Sequence, residues 1–176
     1  ITTGTLDAGR IAAKSITSEK LLIGADDNLG DDPNFLTLGT ANTVWGTTNS
    51  YLTLNGTSPG RATTPDVAAL DITGDLDIRA HVALDDWTPT GQAAIVGKWA
   101  NAPQNSYLLT VNTTGRVRLY LSTDGTTSLT RESTVSPTVT NGAPLWLRAT
   151  LDVNNGAAGH DVRFYTSTDG DTWTQL

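Results

Sequence analysis

From residue 50 onward the chain alternates apolar and polar positions in short runs. In GDLDIRAHVAL (74–84), Leu76, Ile78, Ala80, Val82 and Leu84 fall on one face, and Asp75, Asp77, Arg79, His81 and Ala83 on the other. GRVRLYLS (115–122) sets Val117, Leu119 and Leu121 against Arg116, Arg118 and Tyr120. LWLRATLDV (145–153) sets Leu145, Leu147, Ala149, Leu151 and Val153 against Trp146, Arg148, Thr150 and Asp152, and HDVRFYTS (160–167) continues the pattern with Val162 and Phe164. A period of two marks a strand with one buried face. SYLTL (50–54) is a further short strand, while QAAIVGKW (92–99) and SYLLTVN (106–112) are more continuously apolar and are expected to be central strands. The clusters TTG, STDGTT, NGAP, NNGAAG and STDGD punctuate these runs as turns. The expected fold is all-β, an antiparallel two-sheet β-sandwich or jelly roll. STDG occurs at 122–125 and again at 167–170, each time after an aromatic-bearing strand, and Asp-Gly favours a tight hairpin because glycine accepts positive φ.

The first 24 residues follow a different rhythm. Ile1, Leu6, Ile11, Ile16 and Leu21 recur every five positions, with small or polar residues between them. On an α-helix five residues advance about 500°, so successive members stand roughly 140° apart and make no stripe. On a flat strand an odd period alternates faces. A chain that coils around an axis shared with other copies would turn every fifth side chain inward, and Gly4, Ala8, Gly9, Ala12, Ala13 and Ser15 are small enough for close approach. Residues 1–24 are therefore expected to be a stalk or oligomerisation segment. A short helix at 7–20, with Asp7 as its cap, and a disordered leader are the alternatives. Residues 25–49 form a turn-rich linker and entry loop, with one short strand near Phe35–Leu38. Asp26, Asp27, Asp31 and Asp32 are the only calcium-like cluster there; their spacing lacks the terminal Glu of an EF-hand loop, and a solvated acidic turn explains them.

Charge and composition narrow the function. A formal net charge of −7 disfavours nucleic acid, whose phosphates need a basic face. No apolar run approaches the length of a bilayer-spanning helix, so membrane insertion is not expected. The chain has no Cys and no Met and begins with Ile, which is expected of a processed product or a piece of a longer chain. Catalytic patterns are sparse. The sandwich class includes glycosidases with paired carboxylates, but the only two glutamates, Glu19 and Glu132, lie in no E-x-D-x-x-E arrangement. Asp75 and Asp77 share a strand face and are the best remaining pair; alternation that keeps Asp in solvent explains them more simply. His81 and His160 have no zinc-like spacing, and neither a G-x-S-x-G elbow nor a phosphate-cradling glycine loop is present. The expectation is no enzyme, no catalytic residue, no metal and no cofactor.

Recognition is the remaining chemistry. A sugar ring is held by an aromatic plate under its apolar face and by amides and carboxylates at its hydroxyls. DDWTPTGQAAIVGKWANAPQNSY (85–107) has that mixture: Trp87, Trp99 and Tyr107 as plates, with Asn101, Gln104 and Asn105 in a loop between them. The candidate ligand-binding set is Trp87, Trp99, Asn101, Asn105 and Tyr107. The competing reading has Trp99 and Trp146 covering sheet edges.

Three stretches resemble a known family: ALDITGDLDIRAHVALDDW (69–87), APLWLRATLDVNNGAAGHDVRFYTSTDGDTWTQL (143–176), and the intervening IVGKW and SYLLTV. Together they are similar to the concanavalin A-like, laminin-G-type jelly rolls in tail proteins of phages infecting actinobacteria, over about residues 50–176. The W-x-R-x-T-L-D and F-Y-T-S-x-D-G-x-T-W blocks carry most of the likeness. STDGDTW also resembles the Asp-box of sialidases, a structural turn, but lacks one residue between Asp169 and Gly170. The fives segment resembles leaders of trimeric tail-tip and receptor-binding proteins. The resemblance implies a minor tail or tail-fibre protein of the virion, a homotrimer that contacts other tail proteins and adheres to host cell-surface polysaccharide. It also implies strands beyond the last hairpin, so the sandwich is expected to be incomplete at its C-terminus. A secreted bacterial carbohydrate-binding module and a purely structural tail spacer are the alternatives, since fold alone does not choose among them.

Overall fold

A computed structural model describes residues 37–38, 43–45, 52–54, 56, 60–157 and 159–176. The column Ile1, Leu6, Ile11, Ile16 and Leu21, the alternative helix at 7–20 and the aspartates of 26–32 lie outside the described residues. The chain divides into two compact units, Ile1–Asp66 and Val67–Leu176. In the first, β1 (Thr37–Leu38) pairs antiparallel with β4 (Ala62–Thr63), and β2 (Thr43–Trp45) with β3 (Leu52–Leu54).

The second unit opens with a 3-10 turn at Ala68–Leu70 and is otherwise all strand and loop. Its strands are β5 (Leu76–Ala83), β6 (Ala93–Lys98), β7 (Tyr107–Val111), β8 (Val117–Leu121), β9 (Leu129–Glu132), β10 (Pro144–Asp152), β11 (Asp161–Ser167) and β12 (Thr174–Gln175). They form two antiparallel four-stranded sheets: a front sheet ordered β12-β11-β10-β5 and a back sheet ordered β6-β7-β8-β9. Only the β5–β6 and β9–β10 connections change sheets.

The alternating pattern explains why the sheets stack. Leu76, Ile78, Leu145, Leu147, Ala149 and Phe164 of the front sheet meet Leu109, Val111, Val117, Leu119 and Leu121 of the back sheet in one buried cluster. Burying a large aliphatic side chain contributes about 1.5–3 kcal/mol, so this shared layer makes the two sheets a β-sandwich. β6 departs from expectation: it is an edge strand among the described strands of the back sheet, not a central one. A register shift between Ala94 and Val96 breaks its alternation and leaves Val96 42% exposed. Its sequence reads as continuously apolar because Ala94 and Gly97 occupy positions where a polar residue would have marked the outer face.

The turns are held by side chains that replace missing backbone partners. Buried Asn112 accepts through Oδ1 from the Thr114 amide (2.9 Å), the Thr114 hydroxyl (2.8 Å) and the Arg116 amide (3.0 Å), closing the β7–β8 hairpin around Gly115. Both STDG segments are hairpins, joining β8 to β9 and β11 to β12. Asp124 Oδ1 accepts from the amides of Thr126 (2.8 Å) and Thr127 (2.6 Å), and Asp169 Oδ1 from those of Asp171 (2.9 Å) and Thr172 (2.8 Å). These bonds favour the ionised carboxylate and hold both aspartates below the usual range; Thr127 is the main donor for Asp124, and the Ser167 hydroxyl for Asp169.

Candidate functional site

The strand register assembles a surface on the outer face of the front sheet. Pairing places Asp77 opposite Thr150 and Thr150 opposite Arg163. The next outward row sets Arg79 opposite Arg148 and Arg148 opposite Tyr165, and the row after it sets His81 opposite Trp146. Two arginines facing each other across a strand pair repel. Asp77 offsets that repulsion. Its Oδ1 accepts from Arg79 Nε (3.2 Å) and Arg148 Nε (2.9 Å), and its Oδ2 from Arg79 Nη2 (2.9 Å) and Arg148 Nη2 (2.8 Å). Hydrogen bonds from Arg79 first, then Arg148, pull the Asp77 pKa down to about 2. The same bond to Asp77 raises that of Arg79.

Aromatic rings frame the pair. The Arg148 guanidinium carbon lies 5.2 Å from the Tyr165 ring centre and 5.6 Å from that of Trp173, and the Arg79 carbon also lies 5.6 Å from Trp173. These distances are in the cation–π range. Trp173 leaves the chain beside the edge strand β12, yet its ring reaches the arginines of β10 and β5. Trp146 is buttressed on two sides. His81 stacks on it with ring centres 4.7 Å apart and planes 10° apart, and a Cβ on Gly170 would come within 3.0 Å of its Cε2. The second STDG hairpin therefore needs glycine at 170 both for its φ of 84° and for close contact with the indole.

The back sheet carries related residue types in a different arrangement. The Tyr120 hydroxyl donates to Gln92 Oε1 (2.7 Å) and accepts from Arg118 Nη1 (2.8 Å). Arg118 Nη1 also reaches Gln92 (3.1 Å), its Nε donates to Glu132 Oε1 (2.6 Å), and its Nη2 pairs with the same carboxylate. Trp99 leans on Tyr120 with ring centres 5.7 Å apart. This network is closed on itself.

The residues singled out between 85 and 107 do not form one surface. Trp87 is 4% exposed and belongs to the core, with its backbone amide on Asn141 Oδ1 at 2.9 Å, so its ring cannot serve as a plate for an external sugar. Its flanking DD and TPTG suggested a surface loop, but the loop turns the indole inward to close the space between the sheets. Tyr107 packs against the core in the same inward register as Leu109 and Val111. Trp99 is half-buried beside Tyr120. Asn101 is exposed, and its carbonyl accepts from the Gln104 amide (2.8 Å). Asn105 is half-buried, and its Oδ1 is buried without a protein partner. The front-face grouping of Asp77, Arg79, His81, Trp146, Arg148, Tyr165 and Trp173 was not read from the sequence, where Asp77 stood only as half of a carboxylate pair and Trp146 only as cover for a sheet edge. Its signal was aromatic residues, Trp146 above all, at outward positions of otherwise charged strand faces.

A cleft of about 410 Å³ opens where β5 begins and β8 and β10 end. Aliphatic side chains including Leu121, Leu151 and Val153 line it, with the hydroxyls of Ser122 and Thr127 and the ring of His160. Among the described residues no group of three or more His, Cys, Asp or Glu side chains is placed to hold a metal ion. No described helix is long and apolar enough to cross a membrane. Compared with known proteins, the chain matches no family model, no curated protein and no solved structure.

Proposed function

We propose that the chain is a tail-tip or tail-fibre component of a phage, whose sandwich is a concanavalin A-like jelly roll that adheres to host cell-surface polysaccharide without catalysis. In this reading residues 1–24 hold the copies together as a trimer, other tail proteins anchor the assembly in the virion, and several weak sites act together through avidity. The W-x-R-x-T-L-D and F-Y-T-S-x-D-G-x-T-W blocks support the tail assignment.

The observation that carries the adhesive role is the front-face cluster. Trp173 and Tyr165 offer apolar ring surface, the guanidiniums of Arg79 and Arg148 are held by Asp77, and Asp77, Arg79, Arg148 and Tyr165 lie on strands, with Trp173 directly before β12. A preorganised platform loses little entropy on binding. The state of Asp77 also favours recognition over hydrolysis: a glycosidase general acid needs a raised pKa, whereas two guanidiniums hold Asp77 ionised.

The test is an array of bacterial surface polysaccharides probed with the intact chain and with Trp173→Ala. The expected outcome is binding to at least one polymer, reduced about tenfold or more by the substitution, as for loss of an aromatic contact of about 1.4 kcal/mol. Absence of binding to host cells and to every polymer would leave the spacer reading in its place. The trimer is tested by light scattering, with Ile11→Asp and Ile16→Asp together expected to give monomers.

A further inference from the structure

We infer that the front-face site, read as the glycan site proposed above, selects acidic glycans: a carboxylate or phosphate on the polymer docks on Arg79 and Arg148 while a neighbouring sugar ring lies on Trp173. The argument starts from charge. Two guanidiniums share one carboxylate, and each delivers Nε and Nη2 to it. Among the described residues neither Nη1 has a hydrogen-bond partner, so the cluster keeps one excess positive charge and unused donors on both arginines.

The other carboxylates of this face do not cancel that charge locally. Asp152 and Asp161 oppose each other at the far end of β10 and β11, beyond the Thr150 row, and Asp75 precedes β5 at the same end. They are engaged there: Asp75 by the Val153 amide (2.9 Å), Asp152 by the Asn154 amide (3.0 Å), and Asp161 by Asn155 Nδ2 (3.0 Å) and Arg163 Nη2 (3.1 Å). At the other end Asp169 of the second STDG hairpin is engaged by the Ser167 hydroxyl (2.7 Å) and the Asp171 and Thr172 amides, and Asp171 is exposed, so along the strands themselves the outward positions run from acidic to basic and aromatic. The Arg118 cluster of the back sheet supplies the contrast: Arg118 uses Nε and Nη2 on Glu132 and Nη1 on Tyr120 and Gln92, so one guanidinium is matched by one carboxylate and its donors are spent. A carboxylate or phosphate presents two or more charged oxygens and can accept from two guanidiniums at once, whereas a hydroxyl offers one neutral oxygen.

The experiment takes the polymers bound on the polysaccharide array and treats each in two ways, carboxyl reduction to the alcohol and hydrogen-fluoride dephosphorylation, which separate the two sources of charge. The expected result is that one treatment lowers affinity about tenfold or more, the scale of a charge-assisted bond. Arg148→Gln should do the same with the untreated polymer, and the loss should shrink as salt rises. Asp77→Asn keeps an oxygen that can accept from the arginines but removes the competing negative charge; shown folded by its thermal transition, it should bind the acidic polymer more tightly, a gain that misfolding cannot mimic. If the bound polymers are neutral, or neither treatment changes affinity while Trp173→Ala still abolishes binding, the acidic selectivity is wrong and the glycan-binding proposal stands. A fall in affinity for folded Asp77→Asn would also overturn it. If nothing on the array binds, both fall together.

Discussion

The two sheets are built from the same materials and end in different states. Each contributes alternate apolar residues to one core, each carries arginine, carboxylate and aromatic side chains outward, and each contains an STDG hairpin. On the back sheet, Arg118, Glu132, Tyr120 and Gln92 satisfy one another. On the front sheet, one aspartate serves two arginines, and aromatic rings rather than hydrogen-bond acceptors flank the remaining guanidinium surface. Residue types alone therefore do not make a binding face. What matters is whether the register leaves donors, charge and ring surface unspent.

The twin hairpins give the largest test of this difference. Gly125 and Gly170 have φ values of 76° and 84°. A Cβ at Gly125 would run into the backbone carbonyl of Pro103, whereas at Gly170 it would press on the Trp146 side chain. Gly125→Ala is expected to cost about 3 kcal/mol in urea unfolding, combining left-handed strain with a collision that backbone cannot relieve. Gly170→Ala is expected to cost about 1–2 kcal/mol, because the indole can shift, and to alter the near-ultraviolet dichroism of the His81–Trp146 stack. Equal costs would mean that the two hairpins are packed alike.

The back sheet also depends on its β7–β8 turn. Asn112→Ala removes an acceptor used by two amides and a hydroxyl and is expected to cost about 1–3 kcal/mol. It should leave glycan binding on the front face unchanged. A stable but non-binding variant would show that the two faces are coupled.

The smallest effect is a pH dependence. The folded pKa of Asp77, about 2, lies below its unfolded value. Its ion pairs therefore contribute full stability above about pH 4, and that contribution disappears as pH falls toward 2. The side chain is 38% exposed, so solvent screening limits the effect to less than about 1 kcal/mol. Wild type and Asp77→Asn should differ by that amount at pH 7 and converge near pH 2. A gap that persists at low pH would mean that Asp77 acts through packing rather than charge.

Much of the sandwich was legible because burial imposes a period of two. The inward positions of β5, β8, β10 and β11, and both STDG hairpins, follow directly from the pattern. The misplaced features depend on information that alternation does not carry. β6 read as central because small residues masked its outward positions, and Trp87 read as a surface plate because its polar neighbours say nothing about where a loop turns its side chain. The front-face cluster was hidden for a related reason. Arg79 lies 2 residues from Asp77 along one strand, whereas Arg148 lies 71 residues away and reaches it across a strand pair. Only the register of β5 against β10, and a Trp173 ring that extends inward from the sheet edge, brings them together.

The most direct measurement compares Arg148→Gln and Arg118→Gln in polysaccharide binding, with the thermal transition of each checked alongside. The account predicts about a tenfold or greater loss for Arg148→Gln and a change of less than about twofold for Arg118→Gln. Loss of binding in Arg118→Gln, with Arg148→Gln unaffected, would move recognition to the back sheet and contradict it.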